Sequence, residues 1–296
     1  MSTFDSLPGV DLHIHSNVGG GRWDLDELAR HVAQTGIKTI AVTDHDTVVN
    51  VKAVAQRAEP LGVRVIPGLE LTAGFEGVLW HVLLYNVEVD APELHDLLEE
   101  TLDLEDQNVT RLYGELKANG YRLPWLEART GRRSLAHVAI SLAHDGYAKG
   151  LFDGFRLIKQ FPMAYSLGEL EKAAAVAHRQ GALAILAHPG RAVEGILEVA
   201  DLGRVERMAA AGLDGVEAYY PTHTAQQVNA YVSLALRRGL LVSCGSDSHG
   251  EDLPTSPIRW SPTFCQPLLR RLGVTIPDID PTHNCPQQES ARYDPV

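Results

Sequence analysis

The sequence predicts an α/β protein whose strands and helices alternate around a largely parallel sheet. Three observations carry that expectation. Short apolar runs alternate with amphipathic stretches of helical period along most of the chain. Several of these runs are continuously apolar, as in strands covered on both faces. The runs also tend to end in His, Asp or Glu, the place where active sites form in open α/β sheets and in barrels. A doubly wound sheet and a closed barrel both satisfy the pattern. Gly19, Gly20 and Gly21 follow a strand but lack the GxGxxG spacing and the Walker lysine of the open-sheet nucleotide folds, and are read as a flexible loop.

Residues 9–15 (GVDLHIH) form the first strand, and residues 24–36 the first helix, with Asp24 and Glu27 spaced as a capping box and Gly36 as its stop. Residues 38–45 (KTIAVTDH) are the second strand, followed by a helix to about Gly62. Residues 63–73 and 78–87 read as two strands joined by a short glycine-containing turn. The rhythm then breaks. A long amphipathic helix at 94–120, a basic loop at 128–134 (ARTGRRS) and a second helical stretch near His137 mark residues 91–161 as a helical insertion. Alternation resumes with Ser166 and Glu169 as a capping box for a helix that stops at Gly181. Strands at 182–188, 215–220 and 240–247 then alternate with helices at 196–212 and 224–239. The main domain is therefore expected over 1–90 and 162–250. Residues 251–296 hold eight of the 16 prolines and are expected to form an irregular tail, packed on the main domain or partly disordered.

Composition narrows the function. The 296 residues are 45% hydrophobic and 22% charged, which supports a sizeable core and excludes a disordered or fibrous chain. With 26 Lys and Arg against 38 Asp and Glu the net charge is −12, which excludes a basic nucleic-acid wrapper. No apolar run approaches the ~20 residues of a membrane span, and the first residues lack the pattern of a signal peptide. Cys244, Cys265 and Cys285 are scattered, suggest neither a disulfide framework nor a zinc finger, and fit a cytoplasmic protein.

The chemistry lies in the histidines and acids. His13, His15, Asp44, His45, Glu70, His81, His188, Glu217, Asp247 and His249 are expected at strand ends. Strand side chains alternate with period two, so Asp11, His13 and His15 share one face, and Asp247 and His249 repeat the arrangement. One His-x-His is a weak signal. Several such groups at several strand ends are not, because burying titratable groups without partners is costly. Six imidazoles and two carboxylates exceed the needs of one tetrahedral ion. Two or three ions bridged by a carboxylate, best Glu70, are the natural reading. His31, His95, His144, His178 and His283 receive no role.

The chain resembles the PHP (polymerase and histidinol phosphatase) superfamily. The resemblance rests on DLHIHS at 11–16, TDHD at 43–46, GLE at 68–70, HVLLY at 81–85, LAHPGR at 186–191 and GSDSH at 245–249. The insertion before LAHPGR resembles the branch of nucleoside 3′,5′-bisphosphate phosphatases and short-RNA 5′→3′ exonucleases. The resemblance implies a distorted (β/α)7 barrel and a metal-dependent phosphoesterase with two or three divalent ions, zinc, iron or manganese. It implies hydrolysis of a phosphomonoester of a small nucleotide, with a hydroxide bridging two ions as nucleophile. The alternatives are a histidinol-phosphatase-like enzyme, or a degenerate domain that binds a nucleotide or phosphate as a sensor.

Carried over by position, His13, His15, Glu70 and Asp247 hold the first metal. Glu70 bridges to a second held by His81 and His188, and His45 and His249 hold a third. Asp44 orients a ligand imidazole and Glu217 is supporting. Asp247, His223 and Arg191 are the expected catalytic residues; Arg191, Arg133, His137 and His223 are the expected substrate contacts. Trp80, Trp125, Tyr219 or Tyr220 would stack on a base. The implied partner is a small phosphorylated molecule, a nucleotide or very short oligonucleotide, with no duplex nucleic acid and no membrane. Two departures stand out. Gly20 occupies the place of an Asp usual in this branch, leaving the third site two protein ligands, and Leu135 stands where an Arg is common, with Arg132 and Arg133 just upstream.

Overall fold

The computed structural model describes residues 7–161, 165–192, 197–250 and 255–276. The first part runs β1 (Gly9–Ile14), α1 (Leu25–Gln34), β2 (Ile37–Val42), α2 (Val51–Ala58), β3 (Arg64–Phe75) and β4 (Val78–Tyr85). The insertion comprises α3 (Pro92–Ala118), α4 (Pro124–Glu127), α5 (Leu135–His144) and α6 (Leu151–Ile158). The second part runs α7 (Leu170–Arg179), β5 (Leu183–Leu186), α8 (Leu202–Ala210), β6 (Gly215–Tyr219), α9 (Ala225–Arg238), β7 (Leu241–Cys244) and α10 (Gln266–Arg271).

The seven strands lie side by side in chain order. Neighbours are parallel except at β4, which is antiparallel to both β3 and β5. The parallel expectation fails there for a local reason. Glu76 and Gly77 have φ of 52° and 75°, the paired positive values of a tight hairpin whose twist matches that of its strands. The sheet closes through the chain after β7. The Asp247 N–H donates to His13 O at 2.8 Å and the His15 N–H to Ser248 O at 2.9 Å. On the opposite rim Val10 pairs with Trp260 through bonds of 3.0 and 3.1 Å.

Alternating strand residues separate two cores. Val82 and Leu84 pack outward with Leu28, Val54, Leu170, Val205 and Leu234 of the surrounding helices. Leu83 and Tyr85 pack inward with Leu12, Ile66 and Ile185, and Leu268, Leu269 and Leu272 plug that inner core. The plug belongs to the Pro-rich C-terminal region; residues 277–296, including Cys285 and His283, lie outside the described residues. The insertion has its own core, in which Val109, Leu112 and Leu116 of α3 meet Leu126, Val138, Leu142 and Phe155. The first turns of α3 belong instead to the outer core, through Leu94, Leu97 and Leu98.

Two helix starts differ from expectation. α7 begins after Glu169, while Ser166 ties to α3: its N–H donates to Asn108 Oδ1 at 2.8 Å and its hydroxyl accepts from Arg111 at 3.0 Å. The helix expected from 196 begins at Leu202, where Asp201 accepts from the Arg204 N–H at 2.8 Å; residue 196 itself lies outside the described residues.

Candidate metal centre

The two carboxylate oxygens of Glu70 organise the centre. Oε1 lies 2.9 Å from His81 Nδ1 and 2.8 Å from His188 Nε2. Oε2 lies 3.1 Å from His13 Nε2 and 3.2 Å from both His15 Nε2 and His45 Nδ1. Asp247 Oδ1 lies 3.0 Å from His15 Nε2 and 3.4 Å from His13 Nε2 and His249 Nδ1. Three sets of donor atoms fall within 4.8 Å of one another: His13, His15, Glu70 and Asp247; His45, Glu70 and His81; and His15, His45 and His249. Seven of the eight expected ligands fall in these sets; His188 falls in none and meets the cluster through Glu70 Oε1, so the second set holds His45 where His188 was expected. The third set includes His15, which the position-by-position expectation gave only to the first.

The local backbone is built for this convergence. β1 delivers His13, and His15 follows just past its end, the strand stopping one residue short of the expected one, while β3 delivers Glu70 beside His45 through a parallel bridge. His81 lies within β4, opposite Thr72, and not at a strand end, because β4 runs the other way. His188 and Asp247 have φ of 27° and 56°, left-handed values that bend the chain immediately after β5 and β7 and cost energy unless the surroundings enforce them. Glu217 supports two ligands: Oε1 lies 3.1 Å from His13 Nδ1, and Oε2 accepts the His188 N–H at 2.8 Å. Gly245 makes room, since a Cβ there would lie 2.1 Å from His13 Cβ and 2.5 Å from Glu217 Oε1.

The donor set fits divalent cations. Buried Glu70 Oε2 and His81 Nδ1 have no hydrogen-bond partner among the described residues, the state of atoms arranged for a ligand other than protein. The rings of His15 and His249 stack at 3.9 Å and those of His15 and His45 lie 4.6 Å apart. Burial would raise Glu70, but His45, His13 and His81 hold it well below the usual carboxylate range. Asp247 is likewise held well below, by His13, His249, His15 and Arg191 against burial. Burial and His15 lower His249 to about 4, and burial lowers His45 well below its ordinary value. These imidazoles are neutral near pH 7 and ready to ligate. Burial would lower His15 too, but Asp247 and Glu70 raise it to about 9, so a cation that takes its place there displaces a proton.

Other expected residues lie elsewhere. Asp44 makes no hydrogen bond or ion pair with an imidazole among the described residues; its oxygens accept from the Ser16 N–H at 2.6 Å and hydroxyl at 2.7 Å, and His15 acts on it only through its charge. Both His223 ring nitrogens are used by backbone, Nδ1 2.9 Å from Ala218 O and Nε2 accepting the Gly190 N–H at 3.0 Å. His223 thus ties through Gly190 to the turn that carries His188. Arg191 Nη1 lies on Asp247 Oδ2 at 2.6 Å, so its guanidinium is at the centre but engaged. Arg133 is held by Asp106 at 2.8 Å and Thr110 at 2.8 Å, and Arg132 by Glu99 and Asp103. His137 caps α5, its Nδ1 accepting the Ser134 N–H at 2.8 Å. Of the aromatic candidates, Trp80 and Tyr220 are buried and Trp125 and Tyr219 half-buried. Arg204 lies over Trp80 and Arg129 over Trp125, and Tyr219 stacks on Phe264 at 4.2 Å.

Sequence reasoning missed two acids. Asp46, with φ of 51°, accepts from the Thr72 N–H at 2.7 Å and hydroxyl at 2.8 Å, fastening the His45 loop to β3. Glu105 of α3 accepts from the Leu135 N–H at 3.3 Å and is raised to about 8 by burial and the nearby Asp46 carboxylate. The sign follows directly. A carboxyl raised on folding disfavours the folded state progressively from the unfolded value near ~4.3 up to about 8. Glu105→Gln is therefore expected to raise the melting temperature by a few degrees at pH 8 and by little at pH 4; equal shifts at both pH values would refute the raised carboxyl.

Comparison with known proteins agrees with this geometry. A family model described as "PHP domain" matches residues 11–108. The phosphoribosyl 1,2-cyclic phosphate 1,2-diphosphodiesterase of Eggerthella lenta is 31% identical over 81% of this chain and 94% of its own length. The chain belongs to the PHP superfamily. Its PHP fold is the distorted barrel described above, and it is a metal-dependent phosphoesterase with a His/Glu/Asp site for several ions. The 3′,5′-nucleoside bisphosphate phosphatase of Chromobacterium violaceum is 26% identical over 91% of this chain and 98% of its own. A crystal structure described as a putative metal-dependent phosphoesterase from Bifidobacterium adolescentis superposes with a TM-score of 0.75 at 21% identity, covering 93% of this chain and 98% of that one. No helix among the described residues is long and apolar enough to cross a membrane.

Proposed function

We propose that this PHP protein hydrolyses a phosphomonoester of a small phosphorylated molecule, a nucleotide such as a nucleoside 3′,5′-bisphosphate being the first class to test. The observation that carries this reading is the division of Glu70, one oxygen facing His81 and His188 and the other facing His13, His15 and His45. One carboxylate placed between two imidazole sets is suited to join two cations. Divalent ions so held lower the pKa of water toward ~7 and offset the charge on phosphate oxygens. His13, His15 and Asp247 would hold the first ion, with Glu217 fixing the His13 ring from behind. His81 and His188, both beside Glu70 Oε1, would hold the second, and His45 and His249 lie toward a third. Arg191 is the cation beside the cluster whose planar fork matches phosphate. The chain's charge of −12 disfavours large polyanions and favours a small substrate.

A second reading, a cyclic phosphate on a sugar, has a specific observation behind it. Trp80 and Tyr220 are buried, Trp125 and Tyr219 each already have a partner on the ring in Arg129 and Phe264, and Arg132 and Arg133 are committed to acids of α3. That leaves the insertion without an evident grip on a base or a second phosphate, and the Eggerthella relative is named for a cyclic sugar phosphate.

The test is hydrolysis by chelated protein reloaded with zinc, iron or manganese, read as phosphate release from the monoesters and as ring opening to a monoester from the cyclic ester. The substrates are a nucleoside 3′,5′-bisphosphate, a sugar 1,2-cyclic phosphate and histidinol phosphate. Turnover is expected only after reloading, with the nucleotide preferred under the first reading and the cyclic ester under the second. Full turnover by the chelated protein, or binding without hydrolysis, would overturn the assignment; preference for histidinol phosphate would move it to that class.

A further inference from the structure

We propose that Tyr220 is the positioning residue that aims Asp247 at its metal, and that it frees Arg191 to pass from Asp247 to a substrate phosphate. The proposal rests on the phosphoesterase reading above. Asp247 faces two ways. Its Oδ1 points to His13, His15 and His249, whereas Oδ2 accepts from the Tyr220 hydroxyl at 2.9 Å and from Arg191 Nη1 at 2.6 Å. Asp247 stands on left-handed backbone, so its carboxylate direction depends on the groups that grip it.

The two donors to Oδ2 differ in freedom. Tyr220 is 6% exposed, and its ring lies 5.4 Å from that of His188 and 5.2 Å from that of His223. Those neighbours are themselves fastened, His188 through Glu217 and His223 through Gly190 and Ala218. Arg191 lies at the end of the turn after β5, with its side chain 26% exposed. An anionic oxygen with two donors can lose one and remain hydrogen-bonded. The fixed phenol keeps Asp247 aligned while the freer guanidinium exchanges one anion for another, carboxylate for phosphate.

Tyr220→Phe keeps the ring and removes only the hydroxyl. Chelated wild-type, Y220F and R191Q proteins would be titrated with Mn2+ and with Zn2+ by calorimetry. Competitive inhibition by inorganic phosphate would then be measured at saturating metal. Y220F is expected to bind the tightest ion about 10–100-fold more weakly, with the phosphate inhibition constant changed less than about threefold. R191Q is expected to show the converse, with metal affinity equal or tighter and phosphate inhibition weakened about tenfold or more. Wild-type metal affinity in Y220F overturns the positioning role. Metal loss in R191Q as large as in Y220F, with phosphate inhibition unchanged, overturns the exchange. Absence of metal uptake by the wild type fails the phosphoesterase reading itself, and so is distinguishable from both. Should Y220F unfold, the R191Q arm still decides the exchange, and Tyr220→Trp, which restores a ring N–H donor but not its position, replaces it in the metal titration with the same expected weakening.

Discussion

Glu70→Gln is expected to abolish turnover, by about 10³-fold or more, and to lower bound metal by about one ion per chain. Gln keeps the shape of the side chain and removes the charge that faces five imidazoles at 2.8–3.2 Å. The metal-free protein should feel the change as well, because removing one partner of a buried pair costs ~3–5 kcal/mol. Its pH dependence has a definite sign. His15, raised to about 9, contributes stability that is fully present below the unfolded value near 6.5 and is lost as pH rises through about 9. Glu70, held well below its ordinary value, contributes stability present above the unfolded carboxylate range and lost only as pH falls through its own low value. Chelated wild-type protein should therefore melt progressively earlier between pH 6.5 and 9, and Glu70→Gln should flatten that slope. Turnover and elemental content that match the wild type would remove Glu70 from the centre.

Gly20→Asp is expected to raise occupancy at the site of His15, His45 and His249 by up to about one ion per chain. A Cβ at position 20 would lie 3.8 Å from His45 Cδ2 and 4.0 Å from His249 Cδ2, so a carboxylate there is directed at an all-imidazole set and lowers its net charge when loaded. The cost is conformational. Gly20 has φ of 94°, a value that side chains other than glycine resist, so the metal-free variant should lose ~1–2 kcal/mol of stability. Elemental analysis, anomalous scattering at the metal edge and melting with and without metal check both parts. Unchanged anomalous density beside His249 would show that position 20 does not address this site.

The ligand set was legible because it obeys two local rules, strand periodicity and placement near strand ends. His13 and His15 follow both; His188, Asp247 and His249 lie just past the ends of β5 and β7, and Glu70 lies inside β3. His81 follows only the first, since the hairpin at Glu76 and Gly77 reverses β4 and brings a mid-strand residue to the centre. The surroundings were less legible because their partners are remote in sequence. Nothing near Arg133 announces that Asp106, a full helix earlier, will hold it. Nothing near His223 announces that both its nitrogens will be taken by backbone of two other segments. Ser166 has the spacing of a helix cap, but Asn108 and Arg111 claim it first. Tyr220 reads as one more aromatic until its hydroxyl is seen on Asp247.

The bonds that shut the cylinder, Asp247 N–H to His13 O and His15 N–H to Ser248 O, are made by three of the residues proposed to hold the first metal. Stripping the ions should therefore loosen the wall itself: amide hydrogen exchange at His15 and Asp247 would accelerate on chelation, while the amides pairing β3 with β4 keep their protection. Cation loading and the integrity of that wall form a single cooperative unit.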